Sequence, residues 1–489
     1  MPAVERGRAT GLAAGMGELD PRNGPLRLHE PGDPGQRLDV LLVPDPHVAR
    51  RDPPVPGHGG GLDEDQPRAP DGPAAQYCSA RDLRVFLTVL EAVKMAGKRR
   101  AVRPDPEAPE SLRGNRLIKP IKHLIEKLHD VGTARDHAAN RKLFFDQYAS
   151  LLLLYFFTPA LTSLRALQEA TGWEKTREKL GIETTALGSL SAASRIFDAS
   201  HLEAIIHELA VQAVPLSTGP EAQALKGLTA VDGSIFAGMS RMAWALWNGP
   251  QSRAAKLHLH FDVLKAVPCQ AAVTPAACSE TGQLQAMLQA GRLYVLDRGY
   301  ADYDLFAKII GAGSSLVARV KDSTAFTVEQ ERPLSDAAKR AGVIRDVILC
   351  RLGTSHHKDH LKRPMRLVIV KTIDRDGKAN ELWLITDRLD LEADLVALAY
   401  RHRWTVELFF RWLKCILGAR HLIAHSRNGV TLQMYAALIV SLLIVLRVGR
   451  KPTKRTYQTI QFYLVGWVTD EEFERHLSKL KQAPSKNPA

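Results

Sequence analysis

The sequence predicts an α/β protein: a mixed sheet preceded by a helical region and interrupted late by a block of extra strands. Three observations carry this. Apolar runs of helical period fill residues 115–213, and from Leu228 short β-branched runs alternate with helical segments. The 110 residues that separate Asp297 from Glu407 hold further strand-like runs, too long a stretch to be a loop.

Residues 1–75 hold 13 Pro and 12 Gly with no repeat, a composition that cannot bury a core. They also hold 8 Arg, no Lys and 12 Asp or Glu, so the basic excess of the whole chain belongs to residues 76–489. Residues 1–95 are therefore expected to be disordered, or to precede a true start near Met95. Residues 115–213 read as a helical, DNA-binding domain. Its amphipathic runs RLIKPIKHLIEKLHDV and FFDQYASLLLLYFF are followed by TSLRALQEATG, WEKTREKLG and SLSAASRIFD, which have the rhythm of three short helices. Ser191 is a candidate cap for the last. Arg177, Lys179 and Arg195 are candidate DNA contacts if these helices form a helix-turn-helix, and ordinary solvated charges if they form a scaffold.

The catalytic core is expected over residues 228–320 and 390–450. A strand carrying Asp232 (LTAVDGSIF) precedes the strands KLHLHFDVL and AVPCQAAVTP, a helix through Gln283 to Ala290, and a strand ending at Asp297 (RLYVLDRGY). A helix over Asp304 to Ile310 and the strand SLVARV come next. This order matches a ribonuclease-H-like fold, in which the first and fourth strands lie adjacent and bring their aspartates together. Residues 321–389, with AFTVEQ, VIRDVILCRL, RLVIVKTI and ELWLITD and a hairpin at DRDGKA, read as a β-rich insertion. The run MYAALIVSLLIVLRV is short for a bilayer span and reads as a buried helix behind the active-site helix. Residues 451–489 form a basic helical tail, a candidate for dimer contacts.

Between Tyr400 and Lys414 the chain reads YRHRWTVELFFRWLK. On one helix Tyr400, Arg403, Glu407 and Lys414 would point within about 60° of one another. Leu408, Phe409, Trp412 and Leu413 would form the apolar face. The spacing Y-x2-R-x3-E-x6-K, with DRGY at Asp297 to Tyr300, resembles the insertion sequence four family of DDE transposases over roughly residues 115–450. The resemblance implies that Asp232, Asp297 and Glu407 are the catalytic and metal-binding acids. It implies that Tyr400, Arg403 and Lys414 contact DNA phosphates, with Arg298 and Tyr300 of the DRGY turn also DNA-binding. Arg319 and Lys321 in VARVKDS would contact the DNA backbone, or form an ordinary basic strand edge. Trp404 is a candidate stacking residue for a flipped base, with a core role as the alternative; Trp383 is a weaker candidate.

Breaking a phosphodiester needs an activated oxygen nucleophile and a stabilised leaving alkoxide, which two divalent cations about 4 Å apart can supply. Carboxylates without a zinc-spaced Cys or His set favour two Mg2+ ions, with Mn2+ able to substitute. The resemblance further implies cut-and-paste transposition through hairpin ends. Its partners would be double-stranded DNA, both the transposon's terminal inverted repeats and the target, held by a homodimer.

Charge agrees: the chain carries a formal net charge of +13 and a pI near 9.5, which draws a protein to phosphate backbones. The run HHKDH (His356 to His360) reads as a solvated loop, and His258 and His260 as core or hydrogen-bonding residues. Five scattered cysteines fit a reducing cytosol. No secretory or lipidation motif is evident, and no membrane association is expected. The rivals are a DNA-binding remnant or regulator that has lost catalysis, and a structure-specific nuclease.

Overall fold

A computed structural model describes residues 121–482 except 138–140, 159, 248, 250, 354–362, 374–376 and 465. The expectations for residues 1–95, for the HHKDH run and for the first half of the DRDGKA turn lie outside the described residues.

Nine strands form one mixed sheet in the order β3-β2-β1-β4-β5-β9-β8-β7-β6. They are β1 (Leu228–Ala237), β2 (Ala254–Asp262), β3 (Val267–Pro275), β4 (Leu293–Leu296), β5 (Ser315–Val320), β6 (Phe326–Glu331), β7 (Val343–Leu352), β8 (Met365–Ile373) and β9 (Ala379–Thr386). β1, β2 and β3 pair antiparallel, while β4 and β5 run parallel to β1. The first and fourth strands are therefore neighbours, as the order of elements required.

The helices before the sheet are α1 (Lys122–Glu126), α2 (Phe145–Phe157), α3 (Leu164–Ala170), α4 (Glu174–Leu180), α5 (Leu187–Ile196), α6 (Ser200–Gln212) and α7 (Pro220–Ala224). The three short helices read from sequence are present as α3 to α5. Ser191, however, caps nothing: α5 begins four residues earlier, and the Ser191 carbonyl accepts the Ser194 hydroxyl. Within and after the sheet come α8 (Glu280–Ala286), α9 (Tyr303–Gly311), α10 (Asp336–Arg340), α11 (Ala393–Arg401), α12 (Trp404–Cys415), α13 (Arg427–Val448), α14 (Lys454–Leu464) and α15 (Asp470–Gln482).

The helical segment is not closed off from the sheet. Its apolar residues share one core with β2, β3, α12 and α13, and Phe145 stacks on Phe197 at 4.8 Å. Asn428, at the start of α13, donates to the carbonyls of Ser194 and Phe197 and accepts from the Ala199 N–H. α13 is long and apolar enough to cross a membrane, but its apolar window is 89% buried inside the protein. It packs on β3, α2, α5 and α6, as a core helix. The expected position behind the active-site helix is thus only part of the picture: its main partners are the sheet edge and the helical segment.

The block expected as an insertion does not form a module of its own. β9 pairs antiparallel with β5 through Val317↔Thr386 to Val320↔Trp383. β8, β7 and β6 then continue the same sheet outward. Apolar residues of β7, β8 and β9 pack in the same clusters as β4 and β5, on both faces. The reason is continuous burial: β8 buries six consecutive residues, Met365 to Val370, and so needs cover on both sides.

Candidate active site

The two aspartates meet through strand register. Leu228, Thr229 and Ala230 of β1 pair with Leu293, Tyr294 and Val295 of β4 in parallel. Asp232 and Asp297 each lie two residues past the last pair, so they stand side by side on strands about 4.8 Å apart and share one face. Asp232 is not at a strand end, as the sequence suggested, but in the middle of the ten-residue β1. β4 ends after Leu296, and Asp297 leads into a single 3-10 turn over Arg298–Tyr300.

The helix expected over Tyr400 to Lys414 is two helices. α11 ends at Arg401, and α12 begins at Trp404. Between them the N–H groups of Arg403, Thr405 and Val406 each reach back three residues, to Tyr400, His402 and Arg403. This tightened turn keeps helical dihedrals, so Tyr400 and Arg403 still face the aspartates. α12 packs on β1 and brings Glu407 to them.

Each acid has a different setting. The Tyr400 hydroxyl donates to Asp297 Oδ1 at 3.0 Å. Arg403 Nη2 pairs with Glu407 Oε1 at 2.7 Å and lies over the rings of Tyr400 and Trp404. Burial pushes Asp232 up to about 7; Arg403 and the Gly233 N–H oppose this, while the charges of Glu407 and Glu280 add to it. Burial works on Asp297 too, but Arg403, the Arg298 N–H, the Tyr400 hydroxyl and Arg319 together hold it below the usual carboxylate value. Burial and the Asp297 charge raise the Tyr400 phenol.

Not every expected DNA contact faces outward. Tyr300 is only 3% exposed, so it presents no surface to a phosphate. Tyr400 is equally buried, and holds Asp297 rather than an open phosphate site. Lys414 donates to the Ile235 carbonyl at 2.6 Å and lies over the Phe236 ring. Arg298 and Lys321 are exposed, and Arg319 and Trp404 half-buried. Trp383 packs edge-on against Phe326 and donates to Glu381. His258 bonds Thr274, and His260 is buried against Tyr294, both inside the sheet. Arg177 and Arg195 are exposed.

Two residues at the site escaped the sequence reading, Glu280 and Lys256. Lys256 Nζ pairs with Glu280 Oε1 at 3.0 Å and also donates to the Cys278 carbonyl. One signal was available: Lys256 lies in AAKLHLHFD, a strand buried at all nine positions, where a lysine requires a partner.

Hard carboxylate oxygens suit magnesium or manganese. Among the described residues no group of three or more His, Cys, Asp and Glu stands ready to hold a metal ion. Glu407 is turned to Arg403 and Asp297 to Tyr400. A divalent cation suits this donor set, because burial first, and then the charges of Glu407 and Glu280, push the Asp232 carboxyl up, a strain that a bound cation would relieve.

Residues 223–443 match the family described as the transposase DDE domain, a span that contains all three acids. The match covers 221 of the 489 residues. A transposase-named protein of Sinorhizobium fredii is 29% identical over 249 residues, 50% of this chain and 67% of the relative. A protein of Geobacillus stearothermophilus, named as a transposase for an insertion sequence element, is 26% identical over 220 residues, 45% of this chain and 56% of the relative. Among solved structures, a piggyBac transposase synaptic complex with hairpin DNA aligns over 79% of this chain and 88% of that chain at 10% identity. The TM-score of that alignment is 0.34. The matched domain and the transposase-named relatives support an enzyme of the DDE transposase kind, and enzymes of that kind generally use divalent metal ions.

Proposed function

We propose that this DDE transposase moves an insertion sequence by cut-and-paste transposition, cutting DNA at the element's terminal inverted repeats and joining the freed ends to target DNA. The observation that carries the reading is the equal register of Asp232 and Asp297 on adjacent parallel strands, with Glu407 brought over them by α12. The resemblance of Tyr400, Arg403, Glu407 and Lys414 to the signature of the insertion sequence four family supports the finer assignment, including hairpin ends. The strand order 3-2-1-4-5 supports a ribonuclease-H-like core.

In this reading Asp232, Asp297 and Glu407 hold two Mg2+ ions, or Mn2+ in their place. Such a pair supplies an activated water and stabilises the leaving alkoxide. The chain's own residues do the rest. Arg403 holds Glu407 in place of a cation, and its planar fork can transfer to a phosphate oxygen when DNA arrives. Tyr400 orients Asp297. Arg298, Arg319 and Lys321 line the approach as backbone contacts, and Trp404, beside Arg403, offers a ring to an unstacked base. The basic excess outside residues 1–75 supplies a salt-dependent attraction to DNA. Arg177, Lys179 and Arg195 are assigned to the terminal repeat, and a homodimer is needed to pair two ends.

The test is incubation of the purified chain with DNA bearing the element's ends and Mg2+, resolved on a denaturing gel beside Glu407→Gln. Flush excision with hairpin intermediates, lost in the variant, is the expected result. Binding without any cleavage by the unmutated chain would point instead to a DNA-binding regulator, and nicking with no hairpin or joined product to a nuclease.

A further inference from the structure

Side chains alternate across β1, and the two faces hold different things. Ala230 belongs to the core that contains Val406 and Phe410 of α12, so Asp232, of the same parity, faces Glu407. Val231 packs with Tyr300 and with Leu284 of α8, on the other side. On that second face, behind the aspartates, lies a polar group that the catalytic assignment does not use.

Its centre is Glu280, the first residue of α8. Glu280 pairs with Lys256 of β2, whose side chain is 10% exposed, at 3.0 Å. Tyr300, which ends the turn that begins at Asp297, packs in one buried cluster with Leu284 of α8, and the Glu280 charge beside it adds to burial in raising its phenol. Lys256 in turn reaches the Cys278 carbonyl, just before α8. The group crosses β1 at Gly233, the residue after Asp232. A Cβ there would lie 3.0 Å from Glu280 Oε1 and 3.2 Å from Lys256 Cδ, so the absence of a side chain lets the pair lie directly against the strand. Three segments thus meet around one carboxylate: the strand of Asp232, its neighbour β2, and the turn of Asp297.

We infer that Glu280 is a positioning residue for the DDE site, acting through Tyr300 and Lys256 to hold the Asp297 turn against the Asp232 strand. It touches neither DNA nor the reacting phosphate. Its action is geometric: two acids that must serve the same phosphodiester are fixed from behind by a link between their backbones. A displacement of about 1 Å at reacting groups can cost about 100-fold in rate. The inference rests on the transposase reading proposed above.

The experiment uses the full-length chain with element-end DNA and Mg2+, comparing the unmutated protein with Glu280→Gln, Tyr300→Phe and the double variant. Glutamine keeps the shape but loses the charge held by Lys256; phenylalanine removes one oxygen. The readouts are single-turnover first-strand cleavage, DNA Kd and melting temperature. Each single variant is expected to cleave about 100-fold more slowly, with DNA Kd unchanged within about twofold; melting changes little in Tyr300→Phe and falls in Glu280→Gln, where Lys256 loses its charge partner. The double variant is expected to be little worse than either single one, because both changes break the same link. Cleavage by Glu280→Gln within about threefold of the unmutated rate overturns the inference. So does a loss that tracks weakened DNA binding, a Tyr300→Phe loss that tracks a lowered melting temperature, or a double variant whose defects simply multiply. No cleavage by the unmutated chain sinks the transposase reading itself, and this inference with it.

Discussion

Two acid–arginine pairs in this molecule use the same chemistry to opposite ends. In the outer half of the sheet, Arg366 forks onto Asp346, Nε to Oδ1 and Nη2 to Oδ2, both at 2.8 Å. The two side chains are 1% and 3% exposed. The remaining Arg366 nitrogen donates to the carbonyls of Arg388 and Leu391, and Arg332 approaches the same aspartate. At the site, Arg403 meets Glu407 through one contact, with exposures of 13% and 31%. The first pair is saturated and enclosed; the second is single and reachable. A buried pair with every lone pair used fixes a fold, whereas a pair held by one contact can be exchanged for a phosphate or a cation.

The largest effect should come from breaking the saturated pair. Arg366→Met leaves Asp346 buried without its fork and is expected to cost about 3–5 kcal/mol, read from the urea midpoint. A loss below about 1 kcal/mol would remove the contrast. Arg403→Met should do the reverse, lowering single-turnover cleavage about 100-fold while changing stability by about 1 kcal/mol or less.

His260 sharpens the comparison as a buried group with no pair at all. Neither ring nitrogen finds a partner among the described residues, and burial, with Arg292 and His258 adding, pushes it down to about 3. The folded state keeps it neutral while the unfolded chain protonates it near its ordinary value of 6.5. Stability should therefore fall as pH drops below about 6.5, by about 2 kcal/mol between pH 7 and 5, and His260→Phe should flatten that loss in thermal melts. The smallest effect is expected of Tyr400→Phe. It removes one hydrogen bond to Asp297 and should slow cleavage about tenfold without weakening DNA binding.

Much of this contrast was hidden in the sequence for physical reasons. Asp232 and Asp297 could be found because each follows an apolar strand run, and the neighbour relation of β1 and β4 follows from the order of elements. The break at His402 and Arg403 could not, since neither Gly nor Pro marks it and only hydrogen bonds shortened to three residues give it away. The four outer strands were legible as strands, but not their docking onto β5, because the β5–β9 pairing joins residues such as Val317 and Thr386 that are distant in sequence. Glu280 and Lys256 were missed for the same reason: 24 residues and the whole of β3 separate partners that meet only after β1, β2 and α8 are in place.

The most direct measurement of the central claim is iron-directed backbone cleavage of the full-length chain bound to element-end DNA. Fe2+ takes the place of Mg2+, and the cut sites are mapped by mass spectrometry. Cuts beside Asp232, Asp297 and Glu407 that Mg2+ suppresses are the predicted result. Cuts elsewhere, or cuts at these acids that Mg2+ leaves unchanged, would contradict the assignment of these three carboxylates to one metal-dependent site.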